Sequence, residues 1–132
     1  MASARQATPL PPGIRILLID DEPSVLRAYQ RTFSRYDVHT ALGGREGLEK
    51  LRQDHNFDVI LCDLMMPDFD GPMLLEAVTR EAPELVDRLL FCSGGAFTDR
   101  ARHFLAQFPR GCLQKPLERA AFEAAVKQVL SQ

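Results

Sequence analysis

A single carboxylate at the end of an apolar run is the residue of this sequence best placed to do chemistry. Residues 59–62 are too few for an isolated helix and too apolar for a surface loop, so they predict a buried strand, and Asp63 follows them directly. Pro67 and Gly71 lie in turn sequences that end the strand. Since open α/β sheets carry their sites at the carboxyl ends of strands, we expect Asp63 to lie at a functional edge.

Polar side chains also follow three other predicted strands, at the points where those strands end. Asp20 and Asp21 follow the first strand, Ser93 the fourth and Lys115 the fifth. Each feature alone is commonly a solvated acid pair, a turn serine or a strand-ending lysine. Because parallel strands point the same way, these residues and Asp63 should meet at one edge of the sheet. Their joint placement favours a functional site.

The three acids create an electrostatic problem that such a site must solve. Two carboxylates ~4 Å apart at an effective dielectric constant of ~20 repel each other by about 4 kcal/mol. The group therefore needs a nearby cation or raised pKa values. Mg²⁺ is the expected cofactor, because it is a hard ion that takes carboxylate oxygens and commonly shares its shell with a phosphoryl group.

The elements that must position these residues alternate along the chain. Five apolar runs are each followed by an amphipathic stretch, with no hairpin signal between them, which predicts an α/β fold with a doubly wound parallel sheet. The predicted strands span 14–19, 37–41, 58–62, 88–92 and 111–114, and the five predicted helices span 24–35, 45–54, 72–81, 98–107 and 117–130. The alternation alone leaves the strand order open.

The composition suits one domain: the chain has 132 residues, of which 45% are hydrophobic and 26% charged. Residues 1–13 contain three prolines and few large apolar side chains, which predicts a disordered lead or linker before a domain spanning 14–132. A net charge of −2 disfavours direct nucleic-acid binding, and no apolar run is long enough to insert into a membrane. We expect a cytoplasmic protein.

The cysteines are predicted to be buried, reduced thiols. Cys62, Cys92 and Cys112 lie in or beside apolar runs, and an odd number without CxxC spacing fits neither a disulfide framework nor a zinc site. Cys62 and Cys92 could also be neighbours on adjacent strands, so a redox-sensing pair is the alternative.

The strand-end residues together resemble the signature of two-component response-regulator receiver domains. The resemblance covers about residues 14 to 130 and rests on Asp20-Asp21, Asp63 with Met66-Pro67 and Asp70-Gly71, Ser93, and Lys115-Pro116. It implies a flavodoxin-like sheet of five parallel strands in the order 2-1-3-4-5, with five helices. It also implies a phosphorelay function, in which the domain assists its own phosphorylation and dephosphorylation without being an enzyme that acts on other substrates.

The resemblance implies a role for each acid. Asp63 resembles the phosphoryl acceptor, which takes its phosphoryl group from a histidine kinase. Asp20 and Asp21 resemble the acidic pair that holds Mg²⁺, with Asp21 the more direct ligand. The backbone carbonyl of Met65 would be a further metal ligand.

Two further residues would recognise the phosphoryl group. Ser93 resembles the residue whose hydroxyl bonds a phosphoryl oxygen, and Lys115 resembles the lysine that pairs with the acceptor and then with the phosphate. On phosphorylation, Ser93 would move and pull the loop Gly94–Phe97 and the helix after it. The output face would comprise the fourth helix, the fifth strand and the fifth helix.

Two positions depart from the family's pattern. Cys112 lies three residues before the lysine, where many receivers have Tyr or Phe, so the aromatic rotamer switch is absent. Leu117 replaces the common Phe after Lys-Pro. Output would then use another element, for which Phe91 and Phe97 are candidates, or the domain would mainly relay or drain phosphoryl groups.

The expected partner is a sensor histidine kinase, in cis or in trans, or a phosphotransfer protein, and the domain itself is expected to be a monomer or weak dimer. The stretch Gly94–Leu105 resembles carboxyl-terminal receivers of hybrid histidine kinases, with a free-standing receiver as the close alternative. A phosphorylation-independent interaction module with a receiver fold is the alternative function. A hydrolase of the haloacid dehalogenase type is disfavoured, because Met65 replaces its second acid.

Overall fold

The computed structural model describes residues 10–95, 98–108, 110 and 112–131, and within these residues the strands form one parallel sheet. Its five strands lie in the order β2-β1-β3-β4-β5, which confirms the flavodoxin-like topology. All neighbouring strands pair in parallel. The strands are β1 Arg15–Asp20, β2 Asp37–Leu42, β3 Val59–Asp63, β4 Leu89–Ser93 and β5 Cys112–Gln114.

Six helices accompany these strands in the described residues, one more than predicted. The α-helices are α1 Pro23–Thr32, α2 Gly44–Gln53, α3 Gly71–Glu81, α4 Asp99–Gln107 and α5 Arg119–Leu130. The additional one is the 3₁₀ helix Pro83–Arg88. It forms because Pro83 has no backbone N–H with which to continue α3, so the chain turns and tightens there. No helix in the described ranges is both long and apolar enough to cross a bilayer.

Four strands, β1 to β4, end one residue later than predicted, and for three of them the difference bears on the site. β1, β3 and β4 end on Asp20, Asp63 and Ser93 instead of before them. Asp63 still pairs with Cys92 of β4, and Ser93 with Gln114 of β5. The three polar side chains therefore project from backbone that the sheet holds in place, and not from the loops that follow.

The first and last α-helices are shorter than predicted. α1 ends at Thr32 and not at Arg35, because the chain turns after Phe33 to enter β2. α5 begins at Arg119 and not at Leu117, whose side chain is instead buried in the core ahead of the helix.

Apolar side chains pack in one cluster on each face of the sheet. Leu17 and Ile19 of β1 join side chains of α2, α3 and α4, whereas Ile16 and Leu18 join side chains of α1 and α5. This is the alternation that a strand covered on both faces requires. Leu10 is also buried in the second cluster, so apolar packing begins ahead of the predicted boundary at residue 14. Residues 1–9 of the predicted lead lie outside the described ranges.

The alternative of a redox-sensing pair is wrong, because Cys62 and Cys92 point to opposite faces of the sheet. Cys62 pairs in register with Phe91, one residue before Cys92, and successive residues of a strand alternate in direction. The two thiols lie in different apolar clusters. They are free and buried, and Cys112 is free and half-buried, so the expectation of buried thiols is confirmed for two of the three.

Candidate functional site

Buried polar side chains concentrate at the carboxyl edge of the sheet. Asp20, Asp63 and Ser93 are 1%, 6% and 3% exposed, and apart from tyrosines and cysteines the described part of the chain buries no other polar side chain so fully. They end β1, β3 and β4, which are neighbours in the sheet. Burying polar groups costs free energy unless they are partnered, so their collection at one edge marks a site.

The three acids lie close enough together to act as one unit. A carboxylate oxygen from each of Asp20, Asp21 and Asp63 lies within 4.8 Å of the other two. Asp20 is held at Oδ1 by the backbone N–H of Glu22, at 3.0 Å, and at Oδ2 by the ammonium of Lys115, at 2.8 Å. Asp21 is half-buried, at the rim of the group.

Lys115 reaches into this group from the end of β5. Its Nζ lies 2.8 Å from Asp20 Oδ2 and 3.3 Å from Asp63 Oδ2, and its backbone N–H donates to the Ser93 carbonyl at 2.9 Å. Burial acts to lower the pKa of the ammonium, but the hydrogen bond to Asp20 and the charges of Asp63 and Asp20 outweigh it, so the pKa is raised. Lys115 therefore carries its charge at neutral pH.

The negative charge of the Asp63 carboxylate is only partly compensated by its surroundings. Burial raises the pKa of its carboxyl above the ordinary value, the charge of Lys115 opposes the rise, and the charge of Asp20 adds to it. Its Oδ1 accepts a long hydrogen bond of 3.4 Å from the Met65 N–H. The ionised form of Asp63 would therefore be favoured by any additional cation or donor.

The donor set fits a hard divalent cation. Three carboxylates within reach of one ion are opposed by one lysine, and all their ligand atoms are oxygens, which Mg²⁺ prefers. Burial raises the pKa of Asp63 although Lys115 lies 3.3 Å away, as expected of an acid whose charge is only partly compensated. Asp20, Asp21 and Asp63 could hold such an ion. The Met65 carbonyl as a further ligand stays a prediction.

The segment Leu64–Asp70, which we call the acceptor loop, follows Asp63. The Leu64 N–H donates to the Cys92 carbonyl at 2.8 Å, and the Gly71 N–H donates to the Leu64 carbonyl at 2.9 Å. These bonds attach the loop to β4 and draw its two ends together. The side chain of Met65 is 37% exposed at the rim of the site.

Two anchors of the acceptor loop are not identified in the sequence analysis. Phe69 packs so closely on Gly44 of α2 that an added Cβ there would overlap the Phe69 carbonyl oxygen and ring. Asp70 caps α3 by accepting the Met73 N–H, and it also pairs with Arg100 of α4. The sequence reveals the cap, because Asp is a favoured N-cap residue, but a partner 30 residues away leaves no local signal.

Ser93 carries a hydroxyl with only a weak partner. Its Oγ lies 4.0 Å from Met65 Sδ, and a thioether is a poor acceptor. The hydroxyl therefore stays available for a stronger acceptor at the acid group. The predicted motion of Gly94–Phe97 stays a prediction, since residues 96 and 97 lie outside the described ranges.

The aromatic side chains near this edge lie on β4 and α4. Cys112 is half-buried opposite Phe91 in register, and its pKa is raised to about 11, first by burial and then by the charge of Asp63. Phe91 packs edge-on against Phe104 of α4 and against Phe108, which follows that helix, with ring centroids 5.3 Å and 5.0 Å away. These contacts join β4 to α4 beside Ser93.

A family model described as the response regulator receiver domain matches residues 16–127 of the chain. The chain belongs to this family, and it is therefore a receiver domain of two-component signal transduction. It is 32% identical to the sensor kinase CckA of Brucella abortus over 128 residues, which are 95% of this chain and 13% of that protein. It is 33% identical to the transcriptional activator protein PfeR of Pseudomonas aeruginosa over 124 residues, 90% of this chain and 38% of that protein.

Solved structures share the fold. A response regulator receiver domain protein from Clostridium thermocellum superposes with a TM-score of 0.77 at 24% identity, covering 89% of this chain and 94% of that one. The chemotaxis protein CheY4 of Vibrio cholerae gives a TM-score of 0.69 at 26% identity, covering 90% and 97%. By contrast, the chain spans well under half the length of CckA and of PfeR.

Proposed function

We propose that Asp63 accepts a phosphoryl group from a phosphohistidine of a sensor histidine kinase or of a phosphotransfer protein. The observation that carries this proposal is the position of the Asp63 carboxylate, 3.3 Å from the Lys115 ammonium and within 4.8 Å of the Asp20 and Asp21 carboxylates. Phosphoryl transfer depends mainly on positioning and on neutralising charge, and these groups are suited to both.

The transfer forms one bond and breaks one. A carboxylate oxygen of Asp63 bonds to phosphorus as the bond from phosphorus to the donor imidazole breaks, and the departing imidazole takes up a proton. Lys115 would offset negative charge on the phosphoryl oxygens, and the Ser93 hydroxyl would donate a hydrogen bond to one of them. Later attack by water on the aspartyl phosphate would restore Asp63.

Mg²⁺ is proposed as the cofactor, bound by Asp20, Asp21, Asp63 and the Met65 carbonyl. When bound, it would supply positive charge beside the phosphoryl oxygens. Asp20 and Asp63 would hold the ion from the ends of two adjacent strands, while Asp21 would reach it from the rim. The same acids would keep the site from binding an anion when no cation is present.

The conformational change that follows phosphorylation of Asp63 is proposed to begin at Ser93. A phosphoryl group on Asp63 would give its hydroxyl a far stronger acceptor than Met65 Sδ, and only such a difference between two conformations can shift their populations. Because Cys112 provides no aromatic ring to turn, the response would travel through α4, whose Phe104 packs against Phe91 two residues before Ser93. The output face would then include α4, β5 and α5.

The similarity to a sensor kinase and to a transcriptional activator supports two arrangements of the kinase and the receiver domain. A kinase could act in cis, within one longer protein, or in trans on a separate receiver, and a phosphotransfer protein could replace it. We propose a cytoplasmic domain that is a monomer or weak dimer and contacts no nucleic acid itself. It acts as a phosphoacceptor and not as an enzyme on other substrates. No contact or charge of the described residues favours a phosphorylation-independent module.

Phosphorylation by a small donor tests the proposal. Intact mass measured after incubation with acetyl phosphate and Mg²⁺ should show one added phosphoryl group that is stable in acid and labile in base. Asp63→Asn should show none, whereas Asp87→Asn, which changes an exposed acid outside the group, should match the unmodified protein. Omitting Mg²⁺ should abolish the gain. Equal labelling of all three proteins would refute Asp63 as the acceptor.

A further inference from the structure

Arg100 connects α4 to the acceptor loop through a two-pronged ion pair. Its Nε lies 3.0 Å from Asp70 Oδ2, and its Nη2 lies 3.3 Å from Asp70 Oδ1. Such fork-to-carboxylate geometry orients both groups as well as attracting them. The Asp70 side chain is 22% exposed and that of Arg100 is 60% exposed, so the pair is accessible to water and can break and form again.

The ion pair holds the last residue of the acceptor loop, Asp70, whereas the first residues of the loop contact the phosphoacceptor site. The acceptor loop starts directly after Asp63, and its Met65 N–H contacts the Asp63 carboxylate at 3.4 Å. It ends at Asp70, which also fixes the first turn of α3 by accepting the Met73 N–H at 3.0 Å. A constraint on Asp70 therefore limits where the Met65 backbone can lie.

The acceptor loop and α4 do not pack tightly against each other, and the ion pair between Asp70 and Arg100 bridges the gap. A cavity of about 320 Å³ lies between them, lined from both sides by residues that include Met65, Pro67, Arg100 and Ala101. Side chains that border a void lose part of their van der Waals contact. The oriented ion pair across the cavity is thus the contact best able to couple the two elements.

We propose that Arg100 is a positioning residue of the phosphoacceptor site. By holding Asp70, Arg100 positions the acceptor loop so that the Met65 carbonyl can bind Mg²⁺. The same ion pair couples the position of the loop to that of the first turn of α4. The inference rests on the proposed function of Asp63. Because coupling between two sites is reciprocal, Mg²⁺ at the acids should in turn steady the first turn of α4 through the same pair.

Mg²⁺ affinity measured by calorimetry tests this role. Arg100→Gln and Asp70→Asn should each weaken binding roughly two- to fivefold, the effect expected of an exposed, well-oriented ion pair. Asn keeps a side-chain oxygen to cap α3, so Asp70→Asn removes the charge without removing the cap. Arg102→Gln is the matched control, since Arg102 lies on the same helix and pairs only loosely with Asp99, at 3.7 Å. The double variant should bind no more weakly than the single ones.

Two further readouts separate positioning from a merely structural role. Amide exchange at Met65 should be faster in Arg100→Gln than in Arg102→Gln in the absence of metal. With acetyl phosphate, the Mg²⁺ concentration for half-maximal labelling should rise by the same factor as the dissociation constant, while the rate at saturating Mg²⁺ stays unchanged.

The outcomes distinguish this inference from the function on which it rests. If the unmodified protein binds Mg²⁺ and gains a phosphoryl group on Asp63, but Arg100→Gln and Arg102→Gln have equal Mg²⁺ affinities and equal Met65 exchange, the role of Arg100 is refuted alone. If the unmodified protein neither binds Mg²⁺ nor gains a phosphoryl group, the proposed function fails and the role of Arg100 fails with it.

Discussion

The surroundings raise the pKa values of both Lys115 and Asp63, which favours the charged form of the lysine and disfavours the charged form of the acid. The lysine gives its shorter contact, 2.8 Å, to Asp20 and its longer one, 3.3 Å, to Asp63, so Asp63 is the acid with less compensation. The sequence places these residues at one edge, because each follows an apolar run. It could not show which acid the lysine favours, because that depends on small differences in side-chain position that exist only after the strands have packed.

Asp63→Asn should stabilise the metal-free protein, increasingly so as pH rises above the ordinary Asp pKa of 3.8. The folded protein raises the pKa of Asp63, so between the unfolded and folded values the native state binds more protons than the unfolded state. The free energy of unfolding therefore falls as pH rises through this window. Asn does not titrate, so in the Asp63→Asn protein this residue contributes no pH dependence to the free energy of unfolding. Thermal unfolding in a chelator should show the difference in Tm growing with pH, and a constant difference would contradict the raised pKa.

Lys115→Met should destabilise the metal-free protein by about 1–3 kcal/mol, because it leaves buried carboxylates without their cation. Met keeps the aliphatic stem, so the loss reflects charge more than packing. Urea unfolding with chelator should show the effect, and added Mg²⁺ should restore part of it. Lys127→Met, a change on α5 outside the acid group, serves as the control. Equal losses in the two variants would argue against a charge effect.

The acceptor loop shows how elements acquire a fixed arrangement that their own sequences do not reveal. The sequence indicates each strand and helix through its periodicity, and Pro67 and Gly71 indicate the turn. The anchors are different, because Gly44 and Arg100 come from helices that precede and follow the loop in sequence. A glycine at the start of a helix has many explanations. Only the packed fold shows that Phe69 occupies the space a side chain would fill.

Gly44→Ala tests this packing. Alanine favours a helix over glycine by up to about 1 kcal/mol, but its Cβ would overlap the Phe69 carbonyl, and overpacking costs about 1–3 kcal/mol. We therefore expect a net loss of about 1–2 kcal/mol in the free energy of unfolding, with weaker Mg²⁺ binding. Gly13→Ala, where nothing lies within 4 Å of the new Cβ, should change stability by less than about 0.5 kcal/mol. A stabilised Gly44→Ala protein would show that the loop moves aside freely.

The sheet as a whole explains why the site lies where it does. Five parallel strands direct their carboxyl ends to one edge, and the end residues of β1, β3 and β4 meet there because these strands are adjacent. Alternating strands and helices predict such a sheet but not its order, which came from the family resemblance. The burial of Leu10 is not predicted, since it depends on distant packing. The 3₁₀ helix Pro83–Arg88 is not predicted either, because so short a helix has no apolar period of its own, although Pro83 is a local signal for the end of α3.

Mg²⁺ should raise the stability of the whole domain, because the folded state alone gathers the three acids. At ten times its dissociation constant, the ion should add about 1.4 kcal/mol to the free energy of unfolding, and a chelator should remove the gain. Asp21→Asn should reduce the gain strongly, while Asp87→Asn should retain it. Thermal melts across a Mg²⁺ series measure this. An equal gain in Asp21→Asn would place the ion elsewhere.

Identifying the residue that carries the phosphoryl group gives the sharpest test of the proposed function. Borohydride reduces an aspartyl phosphate to homoserine, so peptide sequencing by mass spectrometry after treatment with acetyl phosphate and Mg²⁺ locates the acceptor. We expect homoserine at position 63 alone, and only when Mg²⁺ is present. Homoserine at Asp20 or Asp21, or a phosphorylated protein in which residue 63 is unchanged, would contradict the proposed function.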